Sequence, residues 1–105
     1  MTRFSDTLER LAATIQARRG GDPASSWSAK LLADRPLAAK KLAEEAVELA
    51  LASVQTDRAA IIAESADVLY HWLVLVAGAG VTLDDVADAL AARENRSGIA
   101  EKASR

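Results

Sequence analysis

The residues best suited to chemistry in this sequence are two groups of acidic side chains at helical spacing. The first group is Glu44, Glu45 and Glu48, and the second, after fifteen intervening residues, is Glu64 and Asp67. Side chains three or four positions apart on a helix are neighbours, so each group can direct its carboxylates to one side. If the two helices pack antiparallel, four or five carboxylates face one groove. Oxygen ligands in that number predict a site for a hard divalent cation, with Mg²⁺ as the expected ion.

The second acidic group lies in a stretch that is otherwise strongly apolar. Residues 61–81 contain no lysine or arginine, and the rest of the helix is mostly Ile, Leu, Val and Trp. Carboxylates at a packed interface repel one another and resist desolvation unless a cation neutralises them. The alternative is a solvated acidic face, since Glu-x-x-Glu pairs are common on exposed helices. The strip continues to His71, seven positions after Glu64, which is either a substrate contact or a core histidine with a satisfied hydrogen bond.

Composition limits the classes of protein that can carry such a site. The chain has 105 residues, enough for one domain, and it is half apolar with only 4% aromatic residues, which favours helices. The net charge of −2 argues against nonspecific nucleic-acid binding, and the lack of cysteine excludes disulfides and thiolate metal sites. We expect no signal peptide and no membrane span, because the apolar run at residues 68–81 is too short. The expected location is the cytoplasm.

Caps and chain breaks divide the sequence into four long helices and one short helix. They are predicted to run from Asp6 to Gly20, over residues 27–32, from Pro36 to about Gln55, from about Arg58 to about Ala79, and from Thr82 to about Glu94. The first is expected to start with a capping box at Asp6 and Glu9, and Asp57 is expected to cap the helix that begins at Arg58. Thr82 with Asp85 is expected to cap the last helix. Residues 1–95 are therefore predicted to form one all-α domain, followed by a polar tail at residues 96–105.

Three segments of the chain resemble a known enzyme family. The order Glu-Glu-x-x-Glu, spacer, Glu-x-x-Asp is similar to that of the MazG-like all-α nucleoside-triphosphate pyrophosphohydrolases. More specifically, residues 22–32 (Asp-Pro-Ala-Ser-Ser-Trp-Ser-Ala-Lys-Leu-Leu), 41–48 and 64–71 together resemble the phosphoribosyl-ATP pyrophosphatase family. The Ser-Ser-Trp-Ser-Ala-Lys-Leu-Leu part separates this branch from the housecleaning pyrophosphatases. The resemblance covers nearly the whole chain.

This resemblance implies a fold, a reaction and an assembly. The fold would be an all-α, four-helix MazG-like bundle with one additional short helix, completed by homodimerisation. The reaction would be the Mg²⁺-dependent hydrolysis of phosphoribosyl-ATP to phosphoribosyl-AMP and pyrophosphate, the second step of histidine biosynthesis. Homodimerisation is expected also because a helix that is apolar nearly all round must be enclosed on all sides, which the remaining helices of so small a chain can hardly achieve.

The resemblance also implies roles for particular residues. The implied metal ligands are Glu45, Glu48, Glu64 and Asp67. Glu44 would orient the attacking water or a second ion, because it points about 100° away from its neighbour on the helix. The phosphates would be bound by Lys30 and Lys41, and His71 would contact the substrate. Independently of the resemblance, the charges of the C-terminal tail favour its closure over the partner's phosphates, through the basic residues Arg93, Arg96, Lys102 and Arg105.

Three alternatives remain open at the level of sequence. The same scaffold could be a general housecleaning nucleoside-triphosphate pyrophosphohydrolase, which a panel of substrates would distinguish. A carboxylate-bridged di-iron bundle would need Glu-x-x-His pairs, whereas this chain has Glu-x-x-Asp and a single histidine. A structural helical module without enzymatic activity would be indifferent to the loss of Glu48 or Asp67.

Overall fold

The protein is all-α over the part of the chain that the structure describes. This structure, a computed structural model, describes residues 2–94. The elements in chain order are α1 (Arg3–Ala17), α2 (Trp27–Leu32), α3 (Arg35–Gln55), α4 (Arg58–Gly78) and α5 (Leu83–Arg93). The predicted set of four long helices and one short helix is therefore confirmed. The predicted polar tail, residues 96–105, lies outside the described residues.

Side-chain caps set the starts of most helices. Ser26, Asp34 and Asp57 each accept a hydrogen bond from the backbone N–H three residues ahead, at the starts of α2, α3 and α4. Such bonds satisfy N–H groups that have no partner within the helix. Thr82 and Asp85 form the predicted capping box of α5. The cap at Asp57 and the capping box at Thr82 are thus confirmed.

The start of α1 differs from the prediction. The helix begins at Arg3, and Thr2 is its cap, with the hydroxyl accepting from the Ser5 N–H at 3.3 Å. The prediction of a capping box at Asp6 and Glu9 was therefore wrong. Asp6 instead lies in the first turn, where its negative charge suits the positive end of the helix dipole. Because a threonine is also a favourable cap, the helix extends about one turn further toward the N-terminus.

Helix α4 lies at the centre of the packing. It contacts α1, α2 and α3, and the core around it consists of Ile15, Leu31, Ala38, Leu73 and Val74. Each fully buried side chain of the size of Ile15 or Leu31 contributes roughly 1.5–3 kcal/mol. By length and composition alone, α4 as a whole is long and apolar enough to cross a membrane, although the run at residues 68–81 was predicted to be too short. It contacts three other helices, and 17% of its most apolar stretch is buried within the single chain.

Helices α3 and α4 form a hairpin around a tight turn, and theirs is the most extensive helix–helix contact in residues 2–94. The turn consists of Thr56 and Asp57, between the end of α3 and the start of α4. Thr56 has φ 56° and ψ 32°, in the left-handed region that a β-branched residue rarely adopts. A turn this short makes the two helices antiparallel. Residues at equal distances from the turn consequently lie opposite each other.

Candidate active site

The α3–α4 turn brings the two acidic groups of the sequence together. Glu48 lies eight residues before Thr56, and Glu64 lies eight residues after it. Glu45 and Asp67 are both eleven residues away from Thr56, one on each helix. The pair Glu48 and Glu64 forms one level of the hairpin, and the pair Glu45 and Asp67 forms another. The two levels are three residues apart on each helix, so they are neighbours on the same face. The acidic groups therefore meet at two adjacent levels of the hairpin.

Three of the predicted metal ligands converge on one point. One carboxylate oxygen from each of Glu45, Glu48 and Glu64 lies within 4.8 Å of the other two, and we call these three residues the acidic cluster. Glu45 and Glu64 are half-buried. The Oε2 atom of each is shielded from solvent and has no hydrogen-bond partner among the described residues. Burying an oxygen without a hydrogen-bond donor costs free energy of folding. The described residues supply no donor for these two oxygens.

The pKa values of the acidic cluster also indicate that it lacks a neutralising partner within residues 2–94. Burial is the largest cause raising the pKa of Glu45 and of Glu64 above the ordinary value of 4.5. The negative charge of Glu48 raises both pKa values further, and the charge of Asp67 adds to this effect. The carboxylates therefore resist being ionised together without a cation.

This donor set fits a hard divalent cation. Carboxylate oxygens are the ligands that Mg²⁺ prefers, and Mg²⁺ commonly takes one or two carboxylates together with waters and substrate phosphates. A dication at the acidic cluster would supply a partner for the orphaned oxygens of Glu45 and Glu64. It would also remove the mutual repulsion that raises their pKa values.

The other two predicted acidic site residues lie beside the cluster rather than in it. Asp67 is exposed and its carboxylate is outside the group of three, although its charge affects both half-buried glutamates. Glu44 turns toward Lys41, with 3.8 Å between Glu44 Oε2 and Lys41 Nζ. Both side chains of that pair are a third or more exposed, so the pair contributes little to stability. Ligation by Asp67 and a catalytic role for Glu44 stay predictions.

His71 is buried, with 7% of its surface exposed, and both of its ring nitrogens have partners. The indole N–H of Trp27 donates to His71 Nε2 at 3.4 Å. An indole nitrogen can only donate, so Nε2 is the acceptor in this hydrogen bond. A carbonyl oxygen can only accept, so His71 Nδ1 donates to the backbone oxygen of Asp67 at 2.7 Å. The predicted substrate contact by His71 stays a prediction, and the contacts of the ring link α2 to α4.

The two predicted phosphate-binding lysines lie around the same tryptophan. Lys30 Nζ is 5.7 Å and Lys41 Nζ is 5.9 Å from the centroid of the Trp27 ring, which is within the range of cation–π attraction. Lys30 is on α2 and Lys41 on α3, at the end of the acidic strip farther from the turn. This arrangement around Trp27 was not predicted from the sequence. The only signal was the i,i+3 spacing of Trp27 and Lys30.

Comparisons with known proteins match nearly the whole chain. A sequence model described as phosphoribosyl-ATP pyrophosphohydrolase matches residues 8–94. A protein of Caulobacter sp. (strain K31) named phosphoribosyl-ATP pyrophosphatase is 63% identical over 105 residues, which are 100% of this chain and 98% of that protein. A protein of the same name from Caulobacter vibrioides (strain NA1000 / CB15N) is 64% identical over 98% of this chain and 96% of its own length.

More distant relatives carry the same name. A phosphoribosyl-ATP pyrophosphatase of Cereibacter sphaeroides (strain ATCC 17029 / ATH 2.4.9) is 59% identical over 99 residues, which cover 93% of this chain and 96% of that protein. The family match includes the helices that carry the acidic cluster, the two lysines and Trp27. The chain therefore belongs to the phosphoribosyl-ATP pyrophosphohydrolase family.

Proposed function

We propose that the protein hydrolyses phosphoribosyl-ATP to phosphoribosyl-AMP and pyrophosphate, with Mg²⁺ as its cofactor. In a cell this would be the second step of histidine biosynthesis, carried out in the cytoplasm. The observation that carries the proposal is the convergence of Glu45, Glu48 and Glu64 in a chain that matches phosphoribosyl-ATP pyrophosphatases over its full length. The orphaned oxygens of this cluster support a cation at that position.

The acidic cluster would hold the metal, with Asp67 as the fourth ligand. When bound, Mg²⁺ would neutralise the charge on the triphosphate oxygens and so ease attack by water. Asp67 lies one turn after Glu64 on the same face of α4. The half-buried position of Glu45 and Glu64 limits the number of waters that compete for the same oxygens.

The remaining residues would act on the water and on the phosphates. The oxygen of a water molecule forms a bond to phosphorus at the α–β anhydride, the bridging oxygen leaves with the other phosphate, and the water proton passes to a carboxylate. Glu44 is the proposed acceptor of this proton, since it lies beside the acidic cluster without being part of it. Lys30 and Lys41 would bind phosphate oxygens as point charges on the side away from the metal.

We propose further that the active form is a homodimer. A row of apolar side chains on α3, Val47, Leu51 and Val54, is 59%, 58% and 81% exposed in the single chain, and Ile62 on α4 is 55% exposed. Only 17% of the most apolar stretch of α4 is buried within one chain. Apolar patches of this kind mark interaction surfaces in soluble proteins. A second copy would cover both helices that carry the acidic cluster.

The proposed reaction is tested by measuring pyrophosphate release from phosphoribosyl-ATP and from a panel of ordinary nucleoside triphosphates. We expect Mg²⁺-dependent release that strongly favours phosphoribosyl-ATP and is abolished by EDTA. Equal rates across the panel would indicate a general pyrophosphohydrolase instead. Full activity in EDTA would contradict the metal site, and no release from any substrate would contradict the proposed activity.

A further inference from the structure

Trp27 makes contacts that packing alone does not require. The ammonium groups of Lys30 and Lys41 both lie within 6 Å of its ring centroid, although the lysines belong to different helices. The ring is 41% exposed, so it is not a core side chain. An aromatic ring attracts cations through its negative face. One ring thus attracts two ammonium groups in spite of their mutual repulsion.

The ring is also held in a fixed place relative to the acidic residues. Its N–H donates to His71 Nε2, and His71 Nδ1 is hydrogen-bonded to the backbone oxygen of Asp67. His71 is buried and packs edge-on against both Trp27 and Tyr70. The indole is therefore attached, through one buried side chain, to the turn of α4 that follows Glu64.

A second contact fixes the short helix that carries the tryptophan. The hydroxyl groups of Ser28 and Tyr70 are hydrogen-bonded at 2.5 Å, which joins α2 to α4 next to His71. Two side chains of α2, adjacent in sequence, are thus tied to two adjacent residues of α4. This double attachment restrains the rotation of α2 and the orientation of the indole ring.

The lysines have few other contacts that could place them. Lys30 is exposed, and apart from the ring Lys41 has the exposed pair with Glu44 at 3.8 Å. Long lysine side chains lose considerable rotamer freedom when they bind a ligand. A ring that already holds both ammonium groups near the acidic cluster reduces that loss, which improves binding through preorganisation.

We propose that Trp27 is a positioning residue for phosphate binding, whose anchored ring holds the ammonium groups of Lys30 and Lys41 beside the acidic cluster. This inference rests on the proposed function only in assigning phosphates to the lysines. The ligand class is a polyphosphate, and the base of the substrate is not stacked on this ring, because the two ammonium groups occupy its surroundings. Trp27 acts through the lysines and does not take part in bond breaking.

The first test uses inorganic pyrophosphate, which has no base, with Mg²⁺ and calorimetric titration. Loss of two cation–π contacts at an exposed site should weaken pyrophosphate binding by Trp27→Leu about tenfold. Trp27→Phe, which keeps a ring but loses the N–H, should fall between wild type and Trp27→Leu. The matched control is Trp72→Phe at the other tryptophan, which packs against the core and should bind like wild type. Wild-type affinity in Trp27→Leu would overturn the proposal.

The second test asks whether Trp27 works through the lysines. In a double-mutant cycle, Lys41→Ala should cost much less pyrophosphate affinity in the Trp27→Leu background than in the wild type. The reason is that Trp27→Leu already removes the ring that holds the Lys41 ammonium group in place. Lys40→Ala, at the exposed neighbouring lysine, should cost nothing in either background. Additive losses for Trp27→Leu and Lys41→Ala would mean that the tryptophan acts independently, which overturns the proposal.

A third measurement does not depend on activity at all. The ε-methylene protons of Lys30 and Lys41 should show upfield ring-current shifts in NMR spectra of the wild type, and these shifts should vanish in Trp27→Leu. Ordinary lysine shifts in the wild type would overturn the proposal. A wild type that shows these shifts and binds pyrophosphate, but releases none from phosphoribosyl-ATP, would contradict the proposed reaction and leave the role of Trp27 supported.

Discussion

At the scale of single residues, the central feature is a set of carboxylates whose charges oppose one another. Burial is the largest cause of the raised pKa of Glu45 and of Glu64, and the neighbouring Glu48 is the next. The same repulsion that destabilises the metal-free protein favours a cation. Stability without metal and affinity for metal should therefore respond in opposite directions to the loss of one charge.

We expect Glu48→Gln to stabilise the metal-free protein at neutral pH and to weaken Mg²⁺ binding. The charge removed is a source of repulsion, so the melting temperature in EDTA should rise by a few degrees. Mg²⁺ affinity should fall at least tenfold, and pyrophosphate release should fall with it. The measurements are thermal unfolding and Mg²⁺ titration.

Glu9→Gln is the matched control for this substitution, because Glu9 is exposed on α1, away from the cluster. It should alter neither the melting temperature nor the affinity for Mg²⁺. A Glu48→Gln variant that melts lower in EDTA and binds Mg²⁺ normally would show that Glu48 has a structural role instead.

The raised pKa values also predict how stability depends on pH. For Glu45 and Glu64 the folded pKa lies above the unfolded value of 4.5. Their contribution is fully present below pH 4.5 and is lost as the pH rises through the folded pKa. In EDTA, the protein should therefore melt at a higher temperature at pH 5 than at pH 7.5. Mg²⁺ should raise the melting temperature at pH 7.5 and much less at pH 5, where the carboxyls hold protons.

A different group limits stability at lower pH. The hydrogen bond from the Thr82 backbone lowers the pKa of Asp85 below 3.8, and the Thr82 side chain adds to this effect. The stability that Asp85 provides is present above pH 3.8 and is lost as the pH falls through its folded pKa. The double variant Glu45→Gln with Glu64→Gln should flatten the profile between pH 5 and 7.5 and keep the acid loss. A steep profile in that variant would assign the pH dependence to other groups.

At the scale of elements, the α3–α4 turn determines whether the acidic groups meet. Thr56 adopts a left-handed conformation that disfavours a side chain branched at Cβ. Thr56→Gly should remove that strain, while the greater freedom of glycine in the unfolded chain offsets part of the gain. The expected net stabilisation is about 0.5–1 kcal/mol. Urea unfolding would measure the change, and Mg²⁺ affinity should be retained because the register is unchanged.

Substitution of the neighbouring residue, Asp57, should destabilise the protein. Asp57 caps α4 by accepting from the Ala60 N–H at 3.1 Å. Asp57→Ala should cost about 1 kcal/mol, while Asp57→Asn should retain most of the cap. Destabilisation by Thr56→Gly together with tolerance of Asp57→Ala would contradict this description of the turn.

At the scale of the whole molecule, the exposed apolar row on α3 predicts assembly. We expect a mass of twice 11.1 kDa in light scattering at micromolar concentration. Leu51→Asp should shift the protein to monomers, because it places a charge in the middle of the proposed interface. It should also lower activity if the dimer supports the hairpin.

The matched control for assembly is Leu90→Asp on α5. Leu90 is 59% exposed and Leu51 is 58% exposed, so the two substitutions differ in position and not in exposure. Leu90→Asp should leave the mass unchanged. A monodisperse and fully active wild-type monomer would contradict the proposed dimer, and a Leu51→Asp variant that stays dimeric would place the interface elsewhere.

Local interactions explain what could be predicted from the sequence alone. The five helices, the cap at Asp57, the capping box at Thr82 and the one-sided spacing of Glu45 and Glu48 depend on residues within a few positions of each other. The start of α1 was misplaced because two local candidates, Thr2 and Asp6, compete for the same role, and no pattern in the sequence ranks them.

Only the tertiary structure decided how these elements combine. That Glu45, Glu48 and Glu64 converge while Asp67 stays outside depends on the register of the hairpin and on side-chain rotamers. The link from Trp27 to His71 spans 44 positions of sequence, and it requires α2 to pack on α4. Helical periodicity determines which residues share a face. The short α3–α4 turn sets the level at which those two helices face each other. Which other faces meet depends on long-range packing.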